Sequence, residues 1–63
     1  MNELTELKLQ EIFETIARIA DDCSYEIEAR EDIDITKVKI NIKLERVKNE
    51  IAKINHWLKG ECE

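Results

Sequence analysis

Two apolar stripes of identical spacing dominate this chain. In its first half, Leu9, Phe13, Ile16, Ala20, Cys23 and Ile27 follow one another at intervals of 4, 3, 4, 3 and 4 residues. In its second half, Ile40, Leu44, Val47, Ile51, Ile54 and Leu58 repeat those intervals. Alternating steps of four and three keep side chains on one face of an α-helix, whereas a strand needs a period of two. Ile12 and Ile19 widen the first stripe, and Leu4 extends it toward the N-terminus. The spacing therefore predicts two amphipathic helices, over residues 3–29 and 35–59, each with a charged side turned to water. Asn2 is placed to cap the first, with Glu3 and Glu6 at the positive end of its dipole. Asp34 is placed to cap the second, and Gly60 to end it in a left-handed C-cap.

Only residues 30–34, Arg-Glu-Asp-Ile-Asp, lie between the two helices. Long helices joined by so short a loop must run antiparallel. The expected fold is all-α, a single helical-hairpin domain over residues 1–63 with a short tail at 60–63. A chain of 63 residues with no Pro and one Gly lacks the punctuation of a many-stranded sandwich or barrel. Its 43% hydrophobic content argues against intrinsic disorder, despite 40% charged residues. One segment competes with this reading. From Val38 to Leu44 apolar and polar residues alternate strictly, and most of the apolar ones are β-branched, which is the pattern of a strand able to pair with residues 24–29. Helix is preferred because the spacing from Ile40 to Leu58 is unbroken and no turn residue separates a strand from a helix.

As a helix, the second half places Leu44, Ile51 and Leu58 at heptad position a, and Ile40, Val47 and Ile54 at d. Ile35 and Ile42 then fall at f and Val38 at b, roughly opposite the main seam. A helix apolar on two sides needs two neighbours, and a lone hairpin offers one. A chain this small rarely draws more than about 3–5 kcal/mol from its own core. Two distant cysteines supply no disulfide framework. Association is the expected remedy, with a homodimeric four-helix bundle as the leading form and a complex with a larger protein as the other. Ile35, Val38 and Ile42 are the predicted interface, together with Trp57, an aromatic anchor near the end of the second helix.

The formal charge of −5 conceals a split. Residues 1–34 carry three cations against eleven acids, a net of −8, and residues 35–63 carry seven cations against four acids, a net of +3. Lys39, Lys43, Arg46 and Lys53 form a basic stripe on one flank of the second helix, interrupted by Glu50. The stripe suits either the acidic helix of a neighbour or nucleic-acid phosphates. Net negative charge and only three aromatics (Phe13, Tyr25, Trp57) favour the acidic partner.

Nothing in the chain assembles a reaction centre. His56 sits at an outer f position, and hairpin geometry separates it from Cys23 by roughly 22 Å. Cys23 lies on the core stripe as a small apolar residue, while Cys62 is expected as a loose thiol past Gly60. The carboxylates near the loop lack calcium-loop or Glu-x-x-His spacing, and a glycine-rich phosphate cradle is ruled out by composition. No enzyme activity, cofactor or metal is therefore expected. The longest apolar runs fall far short of a membrane span, and Met1-Asn2-Glu3-Leu4 lacks the basic and apolar regions of a secretory signal, so a cytoplasmic protein is the expectation. The residues match no family motif. They describe a small acidic interaction module, a regulator or inhibitor of another protein of the kind encoded by viruses and mobile elements, with an RNA- or DNA-binding regulator as the alternative.

Overall fold

Asn2 opens the first helix as its position suggested. Its backbone is extended (φ −80°, ψ 163°), its side-chain oxygen accepts from the Thr5 amide at 2.8 Å, and its carbonyl accepts from the Glu6 amide at 3.1 Å. In the computed structural model, helix α1 runs Glu3–Glu28 and helix α2 runs Ile33–Cys62. The structure describes residues 1–62, and the side chains of residues 1–60. From Glu3 to Cys62 every residue outside the connecting turn is helical, so the alternating segment from Val38 to Leu44 is helix and not strand. Continuity explains the outcome: the segment carries on, without a break, the helical stripe that runs to Leu58, although Val38, Ile42 and Leu44 stay exposed in it.

The turn is made without glycine. Ala29 ends α1 in right-handed geometry, its amide reaching the Tyr25 carbonyl, and the Arg30 amide tightens the last turn onto Ile27 at 3.3 Å. Arg30 then adopts φ 54°, the left-handed conformation that reverses the chain and that costs a non-glycine residue about 1–2 kcal/mol. The second helix starts two residues before the expected position. Its cap is Asp32, ahead of Asp34, because the Asp32 carboxylate accepts from the Asp34 amide at 2.8 Å. The Asp32 carbonyl accepts both the Thr36 amide at 3.0 Å and the Thr36 hydroxyl at 3.1 Å. Asp34 instead occupies the first turn, where its charge meets the helix dipole. At the far end, Gly60 does not terminate α2. It has no positive φ, and a Cβ built on it would meet nothing within 4 Å, so nothing there forces the chain out of helical geometry.

The two helices pack side by side into a rod of 47 × 15 × 9 Å. Its radius of gyration is 14.8 Å, against about 11 Å for a compact domain of this length. The seam is narrow. Ile19 (2% exposed) and Ile12 (7%) are its only buried large apolar side chains among the described residues. Thr5 and Thr36 are the buried polar ones. From α2 the seam takes the half-buried Ile40, Val47 and Ile54, which is the d row. The a row does not join it: Leu44 and Ile51 are both 46% exposed and Leu58 is exposed as well. On α1 the seam is centred on Ile12 and Ile19, so Phe13, Ala20 and Ile27 of the expected stripe also lie outside. Each stripe is wider than the strip that one neighbouring helix can cover, and the hairpin buries one edge of it.

Two substitutions test this local account. Asp32→Ala is expected to lower stability by about 1 kcal/mol through loss of the α2 cap. Gly60→Ala is expected to raise it by up to about 1 kcal/mol, since the site is helical and open. Urea denaturation followed by circular dichroism at one fixed protein concentration measures both.

Candidate interaction surfaces

The hairpin has two unlike sides. On one, Lys8, Glu11 and Thr15 of α1 face Glu50, Lys53 and Trp57 of α2 across an open cleft of about 340 Å³, with Ile12 also in its lining. Toward the turn, the same side carries the ion pairs between the helices. Glu26 of α1 lies 3.4 Å from Lys39 and 3.6 Å from Lys43 of α2, and its side chain is only 18% exposed. Lys39 also meets Glu31 of the turn at 2.9 Å. The hydrogen bond Lys39 donates to Glu31 in the first place, with that to Glu26 beside it, outweighs the desolvation that opposes them and holds the ammonium above its ordinary value. A cation whose pKa rises on folding stabilises the fold fully below its unfolded value, and that contribution fades as pH climbs through the raised one. The lysine side of the pairing therefore persists at neutral pH and weakens as pH climbs into strong alkali. The remaining pairs, Lys8–Glu11, Lys48–Glu45 and Lys53–Glu50, each join residues three apart on one helix and add little.

The polar cleft fixes the sense of the opposite side. Lys8, Glu11 and Thr15 share one flank of α1, and Glu50, Lys53 and Trp57 share the matching flank of α2. In an antiparallel pair, the other flanks of both helices must then point the same way. Those flanks carry Phe13, Ala20 and Ile27 on α1 and Leu44, Ile51 and Leu58 on α2, all exposed. The two stripes legible in the sequence thus meet on a single face, half turned toward each other and half turned out.

Of the predicted interface residues, Ile35, Val38 and Ile42 lie together as an exposed ridge on the back of α2, turned away from α1. Trp57 does not join them. It is half-buried in the polar cleft, roughly 22 Å farther along the helix from Ile42. Of the basic stripe, Lys39, Lys43 and Lys53 are each engaged with carboxylates of the same chain, and Arg46 forms no ion pair among the described residues. His56 is exposed, with its ring edge-on to Trp57 at 6.2 Å and 79°. Cys23 is half-buried and free. The side chain of Cys62, expected as an exposed thiol, lies outside the described residues. The contacts of Glu26 with Lys39 and Lys43 put Cys23 level with about residue 43, some 20 Å along the rod from His56. Among the described residues no group of three or more His, Cys, Asp or Glu is arranged to hold a metal ion, and no helix is long and apolar enough to cross a membrane.

Thr5, Thr36, Glu26 and Lys43 are the seam residues that the apolar pattern misses. Their signal is the seven-residue repeat itself: Thr5, Ile12, Ile19 and Glu26 on α1, and Thr36, Lys43, Glu50 and Trp57 on α2. These rows are periodic but mixed in polarity, so a search for apolar residues passes over them.

Glu26→Gln removes the charge shared by Lys39 and Lys43 and is expected to cost about 0.5–1 kcal/mol, with the difference from the parent chain shrinking in high salt. Denaturation at low and high salt measures it. No protein-family model, curated protein or solved structure matches this chain.

Proposed function

We propose that this chain is a non-catalytic protein-interaction module, a small regulator or inhibitor that acts by occupying the surface of another protein, and that its hairpins pair into a four-helix bundle. One observation carries the reading: among the described residues, thirteen large hydrophobic side chains are exposed, while only Ile12 and Ile19 are buried. Exposed apolar residues scattered singly are ordinary, but contiguous ones mark association surfaces. Eight of them fall in two sets, Phe13, Ile27, Leu44, Ile51 and Leu58 on the face shared by both helices and Ile35, Val38 and Ile42 on the ridge. The ridge is the surface offered to a protein target. The separation of Cys23 from His56 supports the non-catalytic half of the reading, because a nucleophile and its base must lie within hydrogen-bond reach.

The nucleic-acid alternative finds less support. Phosphate binding needs cations that are free to release counterions, and three of the four stripe residues already neutralise Glu26, Glu31 or Glu50. Capture experiments with the immobilised chain separate the two. The parent chain is expected to retain a protein from its native cell extract that the folded double variant Val38→Lys/Ile42→Lys loses, and to retain no generic RNA or DNA at low salt. Retention of nucleic acid with a steep salt dependence would replace this reading with the alternative.

A further inference from the structure

We infer that the face carrying Phe13, Ile27, Leu44, Ile51 and Leu58 is the surface on which a second copy of this chain docks, with α1 of each copy lying on α2 of the other, and that the Ile35–Val38–Ile42 ridge stays outside the contact. The inference rests on the reading that hairpins pair, and names the side by which they do so.

Three observations lead to it. The first is chemical. In a chain that is 40% charged, the two stripes between Leu9 and Ile27 and between Ile40 and Leu58 contain no charged side chain. The opposite side of the hairpin holds Glu26, Lys39, Lys43, Glu50 and Lys53. A charge-free strip some 27 Å long and two helices wide is the inner face of a layered core.

The second is its size. The chain exposes 5139 Å², whereas a folded monomer of 7.4 kDa exposes about 4200 Å². The excess, roughly 900 Å², is close to the ~800 Å² that each partner contributes to an interface of standard size. An interface of standard size with a second copy is therefore enough to bring the chain's exposed area to that of a compact monomer.

The third is self-complementarity. Both stripes repeat the same 4, 3, 4, 3, 4 spacing, so side chains of either helix fit between those of the other in antiparallel packing. A two-fold axis parallel to the rod sets α1 of one copy against α2 of its neighbour, antiparallel. Each side of the resulting square then joins the half of net charge −8 to the half of net charge +3. The other arrangement, with α1 on α1 and α2 on α2, opposes like charge along both contacts. In the favoured arrangement the outer ridge faces away from the axis on each copy.

Light scattering, circular dichroism and thiol reactivity test the proposal on the full chain. The parent is expected at twice the chain mass. Ile51→Lys is expected at the monomer mass, and Ile42→Lys is expected to remain at twice the chain mass. A lysine at position 51 is also able to unfold the hairpin, so Cys23, which lies on this face, supplies a readout without a core substitution. In a Cys62→Ser chain, its rate of reaction with excess maleimide should fall at least several-fold as protein concentration rises through the dimerisation range. A parent chain that stays monomeric at all concentrations removes the paired-hairpin reading and with it the docking face assigned here. A dimeric parent that survives Ile51→Lys, that dissociates on Ile42→Lys, or that leaves Cys23 equally reactive at all concentrations keeps the pairing and overturns the face assigned here.

Discussion

A helix in a two-helix hairpin has one neighbour, and the architecture of this protein follows from that limit. One neighbouring helix covers a strip along its partner, and both helices here carry more apolar surface than a strip can take. The hairpin buries Ile12 and Ile19 with one edge of each stripe, and leaves Phe13, Ile27, Leu44, Ile51 and Leu58 in water. A fold with so small a core is short of the burial that stabilises larger domains. In the pairing proposed above, helices from a second copy make up the difference.

Which edge is buried is decided by polar residues. Glu26 can meet Lys39 and Lys43 only if the helices turn their mixed rows toward one another, and that rotation puts Trp57 and Glu50 over Ile12 and Thr15. The energy of each ion pair is small, and its consequence is one of direction. The charged side is satisfied within the chain, and the uncharged side is left exposed. A lysine stripe that looked available for phosphate is, for the same reason, largely engaged.

The hairpin itself was legible because its signals are local. Stripe spacing, the Asn2 cap and the brevity of the link between the helices each act within a few residues or along one helix. The misplaced details are those in which two local choices were nearly equal. Asp32 and Asp34 are both able to cap, and Asp32 does so because the Thr36 hydroxyl and amide return to its carbonyl. Gly60 is able to adopt either hand, and with no side chain within reach it stays in the helix. Arg30 in left-handed geometry was invisible in sequence, since glycine or asparagine is the residue that usually announces it. Of the proposed interface, Ile35, Val38 and Ile42 share a ridge as their spacing requires, and Trp57 stands apart because its row faces α1.

The amino-acid sequence by itself determined two helices, their antiparallel sense and an apolar surplus, because periodicity and chain connectivity are properties of a single strand of residues. Only the tertiary structure decided how the helices are rotated about their axes. Rotation depends on which rows of two helices meet, and thus on Glu26 finding two lysines from another part of the chain. That choice turned two separate stripes into one continuous, uncharged face.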